Sequence, residues 1–334
     1  MVRLAIIGLG LIGGSFGLAL KRERPDDFEI VGCAATRETR VKARKRGVID
    51  VEARSAAEAV AGAAFVFIAT PISAVRAVLE EIAPALADGA IVTDAASTKR
   101  DVLRWADELL PERVQFVGGH PIAGKEESGI EVADAALFEQ RPWAIVPSRR
   151  ASEQSVLTIE RLVQVVGATP VSIDAEEHDS YLAAVSHLPL FASIALFSLA
   201  RESQAWPDLA VLAGPGFGGA TRLASTNPAL SHDITLTNRD NVVHWLDRYI
   251  DELRRLRALV ADEAAIEELI KTLATAQTER DRFVSQPQVR KEQPLEGESL
   301  SAGDQMRSIL IGDFASRRLK EMGQIMEPDD KERR

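Results

Sequence analysis

The feature that most constrains this chain is a run of spaced glycines at one particular place. Residues 3–7 form a short apolar stretch that stops at Gly8, and Gly8-Leu9-Gly10-Leu11-Ile12-Gly13-Gly14 leads directly into a helical pattern over residues 12–20. Strand, GxGxxG turn and helix in that order open a βαβ unit that cradles a dinucleotide. Gly8 permits the tight turn, Gly10 lets the backbone approach a pyrophosphate, and Gly13 lets the helix pack on the strand. The helix N-terminus then offers amide donors and dipole charge to the phosphates. Gly8, Leu9, Gly10, Leu11, Ile12 and Gly13 are therefore the expected cofactor cradle.

The alternation continues downstream. Residues 29–33, 65–69, 90–94, 114–117 and 143–146 are short apolar runs, with helical patterns at 39–45, 74–83 and 98–110 between them. Continuous apolar strands separated by amphipathic helices predict a doubly wound, mostly parallel α/β sheet covered on both faces. After about Asp174 the strand signals disappear. Residues 176–202 form a long Ala/Leu/Ser-rich stretch with Pro189 inside it, which predicts a kinked helix. Residues 241–259 and 263–284 are amphipathic. The expected layout is a dinucleotide-binding Rossmann domain at 1–173, an all-α domain at 174–285, and a polar extension at 286–334 with a short helix over 305–322. In the long stretch Tyr181, Val185, Leu188, Leu190, Phe191, Ile194, Ala195 and Phe197 are apolar around most of the circumference. Such a face needs cover, and a two-fold partner supplies it, so a homodimer through the helical half is expected.

Composition narrows the function. Lys and Arg number 40 against 50 Asp and Glu, a formal charge of −10, the wrong balance for a nucleic-acid binder. The single cysteine, Cys33, excludes a disulfide framework and a cysteine-based zinc site, and no other metal cluster is legible. Residues 5–20 are apolar enough to pass for a signal-peptide core, but no small-residue cleavage site follows before Lys21, Arg22 and Arg24. No other segment reads as an uninterrupted membrane-length apolar run. The expectation is a cytoplasmic protein acting on a small-molecule substrate, with neither membrane nor nucleic acid as partner.

About 20 residues past the glycines a dinucleotide site carries an acid for the ribose hydroxyls. That place falls on Cys33-Ala34-Ala35, followed by Thr36, Arg37 and Arg40. A missing carboxylate beside a hydroxyl and guanidinium suits a 2′-phosphate, which makes NADP the expected cofactor with Thr36 and Arg37 as its clamp. NAD is the alternative, with the arginines as solvated helix-start residues. Thr70-Pro71 and Asp94 to Lys99 close two strands at their carboxyl ends, where such folds place ligands. On spacing alone Ser97 or Thr98 reads more readily as a helix N-cap, with Asp101 completing a capping box. His120 falls in a Gly/Pro loop at the same sheet edge, either as a general base near neutral pH or as a structural histidine.

Taken in order, Gly8-Leu9-Gly10-Leu11-Ile12-Gly13-Gly14-Ser15, Asp94-Ala95-Ala96-Ser97-Thr98-Lys99, Gly119-His120-Pro121-Ile122-Ala123-Gly124, Ser186-His187-Leu188-Pro189 and Thr221-Arg222-Leu223-Ala224 resemble the prephenate dehydrogenase family. That family includes the cyclohexadienyl and arogenate dehydrogenases of tyrosine biosynthesis, and the resemblance spans residues 1–280. It implies a nucleotide-binding domain followed by a helical dimerisation domain, and NAD(P)-dependent oxidative decarboxylation of prephenate to 4-hydroxyphenylpyruvate. It further implies that His120 is the catalytic histidine, Ser97 its partner on the substrate hydroxyl, and Arg222 the holder of the substrate carboxylate. His178, Ser186 and His187 match positions that line or support the substrate site. Lys125, Leu190 and Gly219 depart from the residues common in the family at positions flanking the substrate side chain. Lys125 is accordingly counted as a substrate contact, and arogenate or an amino-substituted analogue stands as the alternative substrate. Two competing readings are a β-hydroxyacid dehydrogenase, which would use a lysine base on the helical domain, and a non-catalytic NAD(P)-binding regulator, against which Ser97, His120 and Arg222 together argue. The stretch after residue 285 is too short for a full regulatory ACT domain.

Overall fold

In β1 (Val2–Ile7) successive side chains serve opposite faces of a sheet. Leu4 and Ile6 enter one hydrophobic core, Ala5 and Ile7 the other, and all four are buried. The computed structural model describes residues 1–125 and 127–286, so the expected helix over 305–322 lies outside the described residues. β1 is joined by β2 (Phe28–Cys33), β3 (Val51–Ala53), β4 (Phe65–Ile68), β5 (Ile91–Asp94), β6 (Gln115–Pro121), β7 (Pro142–Pro147) and β8 (Thr169–Ser172). The sheet order is β3-β2-β1-β4-β5-β6-β7-β8. The strands from β3 to β6 are parallel, β7 is antiparallel to β6, and β8 is parallel to β7. Strand order reverses between β1 and β4, which opens the ligand crevice at the carboxyl ends.

Strand β6 runs on to Pro121, so His120 lies within the sheet, opposite Ala144 of β7, and not in the expected loop. Gly118 and Gly119 conceal this strand in the sequence. A Cβ at Gly119 would come within 2.6 Å of the Asp94 carbonyl oxygen, so the close approach of β6 to its neighbour admits no side chain there.

The second half is helical throughout its described residues. Ala175–Leu182, Ala183–His187 and Leu188–Arg201 run on as one helix whose middle segment is a π-turn. This π-turn stands where a kink at Pro189 was expected. Pro189 has no N–H to give the preceding turn, and a widened turn relieves both the missing bond and the ring clash. By length and composition this 27-residue helix is apolar enough to cross a membrane, with a mean hydropathy of 1.8 over an 18-residue window, where no membrane-length run was expected. His178, Asp179, His187, Leu190 and Ser193 on it are nevertheless buried inside the protein. The helical core itself is small, with Leu190, Ile234 and Val242 at its centre. Val185, Leu199, Val211 and Leu212 are each at least 74% exposed.

The halves meet at helix N-termini. Ile72–Ile82 and Arg100–Leu109 follow β4 and β5 and receive no side-chain cap from their own N-cap residues. Asp233 of the helical half accepts from the Ser73 N–H and from its hydroxyl, both at 3.0 Å. Asp179 accepts from the Lys99 N–H at 2.7 Å and the Arg100 N–H at 3.0 Å. Each carboxylate satisfies orphan amides at the positive end of a helix dipole. The local cap expected from Ser97 or Thr98 with Asp101 does not form. Thr98 instead shares a 2.8 Å hydrogen bond with Thr237 across the seam, and Asp101 pairs with Arg104.

Replacing the buried cap at one of these helices should loosen the seam without touching the cradle. Asp233→Ala is expected to cost about 1–2 kcal/mol of stability, read as a lower urea midpoint with dinucleotide affinity unchanged. An unshifted midpoint would show that Asp233 contributes nothing to holding the halves together.

Candidate active site

The cradle is built as its spacing requires. Gly8 has φ +97°, and a Cβ there would lie 2.5 Å from the Ala69 carbonyl oxygen at the end of the β4 segment. At Gly13 a Cβ would fall 1.9 Å from the Gly8 carbonyl oxygen, which fixes how closely the helix Leu11–Glu23 sits on the turn. At Gly10 a Cβ would meet nothing within 4 Å. That open side is where a pyrophosphate can approach. Leu9 is buried in the core, so its part is played by backbone. Gly10 gives no side-chain cap, and the first-turn amides of Leu11, Ile12 and Gly13 have no partner of the helical i→i−4 kind. Thr70 ends the segment beside Gly8, and its hydroxyl is buried with no hydrogen-bond partner among the described residues. Pro71 follows as the exposed N-cap of Ile72–Ile82. These features fit a nicotinamide dinucleotide.

The ribose end departs from expectation. The Thr36 hydroxyl already accepts the Thr39 N–H as the cap of the helix Arg37–Lys45. Arg40 turns back to the Ala34 carbonyl at 2.7 Å, and Arg37 is exposed.

Beyond the cradle the carboxyl ends of β5 and β6 carry the polar centre. Asp94 and Lys99 form a fully buried ion pair. Asp94 accepts the Gly119 N–H at 3.1 Å while the Lys99 ammonium donates to the Gly119 carbonyl at 2.7 Å. The peptide before His120 is thus held at both ends. His120 Nδ1 lies 3.0 Å from His178 Nε2, and His178 Nδ1 lies 2.8 Å from Asp179 Oδ1. Burial, then His178, Lys99 and His187, push the His120 imidazole well below its ordinary 6.5, so it is neutral and able to accept a proton at pH 7. The Ser97 hydroxyl, on the segment after β5, is buried without a partner among the described residues. His187 is likewise buried. Its Nδ1 faces the Asn238 amide at 3.2 Å, and its Nε2 is left without a partner among the described residues.

The structure therefore gathers His120, His178 and His187 at the seam and leaves Ser97 and His187 with polar atoms to offer a ligand. Other expected residues are not enclosed with them. Ser186 is exposed although its neighbour His187 is buried. Lys125 donates to Asp134 at 3.2 Å and so forms a surface ion pair. Arg222 is exposed at the start of the turn Arg222–Ser225, which is anchored by the Ala224 N–H to Ser193 at 3.0 Å. Four polar residues of the seam go unannounced by any motif: Asp179, Asp233, Thr237 and Asn238. Asn238 donates to the Asp179 carbonyl at 2.7 Å as well as facing His187. The one available signal was polar side chains standing among apolar helix positions.

Comparison with known proteins matches two families in succession. "Prephenate dehydrogenase, nucleotide-binding domain" covers residues 16–172, and "Prephenate dehydrogenase, dimerization domain" covers residues 174–275. The prephenate dehydrogenase of Bacillus subtilis is 38% identical over 278 residues, 83% of this chain and 74% of that protein. The crystal structure of prephenate dehydrogenase from A. aeolicus in complex with hydroxyphenyl propionate and NAD+ superposes with a TM-score of 0.79 at 30% identity, covering 85% of this chain and 98% of that one. Synechocystis arogenate dehydrogenase gives a TM-score of 0.73 at 27% identity, covering 84% and 100%.

The buried histidines carry a pH signature. Burial holds His187 down to about 4, against about 6.5 when unfolded. Above 6.5 neither state binds the proton. Below it the unfolded chain does and the folded chain does not, so stability falls as pH drops from 6.5 towards 4. His187 alone should cost about 2 kcal/mol by pH 5. Urea unfolding at pH 7 and pH 5 measures this, and His187→Gln should flatten the difference. A variant as acid-sensitive as the wild type would show that the loss arises elsewhere.

Proposed function

The chain belongs to the prephenate dehydrogenase family, and we propose that it converts prephenate to 4-hydroxyphenylpyruvate by NAD(P)-dependent oxidative decarboxylation, with His120 as base. The observation that carries this reading is a neutral, strand-mounted His120 on the strand next to β5, with Ser97 on the segment that follows β5 and its buried hydroxyl unpartnered among the described residues. His120 takes the proton of the ring hydroxyl as carbonyl character develops. Ser97 hydrogen-bonds the same oxygen and keeps it at the base. Arg222 holds a substrate carboxylate, for which its planar fork is suited. The His187 Nε2–H, left over once Asn238 serves Nδ1, is a further donor to substrate. Loss of carbon dioxide aromatises the ring and drives the reaction forward. Bound on the Gly8–Gly13 cradle, the nicotinamide dinucleotide supplies the two-electron oxidant. Ser186, exposed beside the buried His187, and Lys125, paired with Asp134, are given no role in this step, while Arg222, exposed as well, keeps the role that the resemblance implies.

For the cofactor we place NAD first and NADP second, reversing the order expected from sequence. The Thr36 hydroxyl is spent on a helix cap and Arg40 on a backbone carbonyl, which leaves Arg37 as the main cation for a 2′-phosphate. NAD+ in the A. aeolicus relative supports the same order. The proposed division of labour is nucleotide binding by residues 1–173 and dimerisation by 174–285, in a cytoplasmic setting that suits the single buried cysteine, Cys33. The homodimer is supported by the small helical core and by the exposed Val185, Leu199, Val211 and Leu212.

The deciding experiment is a steady-state matrix of prephenate and arogenate against NAD and NADP. Prephenate with NAD should give the highest kcat/KM, and turnover in none of the four combinations would overturn the reading. His120→Asn should lower kcat by about a hundredfold to ten-thousandfold with dinucleotide affinity intact. Arg222→Ala should cost about 2–4 kcal/mol in kcat/KM for substrate, and an equal loss in cofactor affinity would make Arg222 structural. Leu199→Glu should shift the light-scattering mass from dimer towards monomer, and a monomeric wild type would remove the dimer.

A further inference from the structure

We propose that His178 and Asp179 are positioning residues for the base: Asp179 sets the tautomer of His178, His178 sets that of His120, and the lone pair of His120 Nε2 is thereby the one offered to substrate. The inference rests on the reading of His120 as the base and adds which nitrogen acts and what decides it.

The argument is a chain of donors and acceptors. The Asp179 carboxylate can only accept, and it is already placed by the Lys99 and Arg100 amides. His178 Nδ1, 2.8 Å from Asp179 Oδ1, must then carry the hydrogen. A neutral imidazole carries one, so His178 Nε2 is an acceptor. His120 Nδ1 sits 3.0 Å from that acceptor and in turn carries its own single hydrogen. His120 Nε2 is what remains. His178 is fully buried and both its ring nitrogens are engaged. It therefore supports the site from behind and does not touch substrate.

The same carboxylate that sets the tautomer also caps Arg100–Leu109, so it belongs to the seam as much as to the site. His120 is carried by the sheet and its two positioning residues by the helical half. The base is correctly presented only while the halves are docked. The groups facing His120 are His178 and His187 from the helical half, and Lys99 with its partner Asp94 below the strand. When the substrate hydroxyl gives its proton to His120 Nε2, the Nδ1–H donates more strongly to His178, which does the same to Asp179. No second proton has to move.

The test reads the tautomer in the resting, full-length protein. With 15N-labelled histidine at pH 7.5, and His120 assigned by its loss in His120→Asn, the His120 signals should be those of the Nδ1–H form. In His178→Leu the constraint is gone and the Nε2–H form should appear. kcat should fall about 100-fold, while KM for prephenate and dinucleotide affinity stay within about twofold. His178→Gln, whose amide oxygen can accept the same hydrogen bond, should recover part of the lost kcat. An Nε2–H signal for His120 in the wild type would overturn the inference without any variant having to fold. So would a His178→Leu enzyme with unchanged kcat and tautomer. Normal turnover by His120→Asn, in contrast, would fail the assignment of the base itself.

Discussion

Asp179 and Asp233 reach from the helical half to the N-termini of Arg100–Leu109 and Ile72–Ile82. Three helices of the sheet domain start at the crevice with no side-chain cap from their own N-cap residues, and each start is a concentration of unpaired amides and positive dipole. Two are neutralised by protein carboxylates and the third, at Gly10, is left for the phosphates of a cofactor. The helical half is therefore fixed in place by the same electrostatics that recruits the ligand, and the crevice lies between attachment points that cannot slide independently.

Beneath that surface the buried Asp94–Lys99 pair performs a different task. A buried ion pair gains little stability, because desolvation offsets attraction, but losing one partner typically costs about 3–5 kcal/mol. Here the remaining hydrogen-bonding capacity goes to Ala96 and to both ends of the Gly119 peptide. The pair thus spends its energy on the position of one backbone segment, the one that carries His120. Burial pulls the Lys99 ammonium down and Asp94 opposes it. The positive charge in turn helps keep the neighbouring imidazole neutral.

The cradle and the alternation of strands with helices were legible because they rest on local patterns: glycine spacing and apolar runs separated by amphipathic stretches. So were His120, Ser97 and His187, through short motifs. β3 and β8 were not, since a three-residue strand and one holding Pro170 lack an apolar run. The strand around His120 was hidden by two glycines that a close neighbour demands. The caps were invisible for another reason. Asp179 lies 80 residues from Lys99 and Asp233 lies 160 from Ser73, so the sequence shows an acid in an apolar helix without showing what it faces. At the ribose loop the missing carboxylate was legible, but not that the Thr36 hydroxyl caps its own helix and that Arg40 turns back to a backbone carbonyl.

The π-turn at Ala183–His187 has a consequence for how this chain tolerates length changes. A π-turn is one residue more than an α-helical turn needs, and each residue rotates the downstream helix by about 100°. Upstream of it the helix presents His178 and Asp179 to the sheet. Downstream it presents Leu190 to the helical core and Ser193 to the turn holding Arg222. The wide turn takes up the extra residue, so the two faces keep nearly the phase of an unbroken α-helix. Deleting one residue between 183 and 187 would let the wide turn close to an α-turn and leave the upstream and downstream faces nearly in their present phase, whereas a deletion within the α-helical parts would swing the downstream face by about 100°, carrying Ser193 off Ala224. A one-residue deletion is thus absorbed at 183–187, while the same change on either side of that segment re-aims every side chain that follows it in the helix.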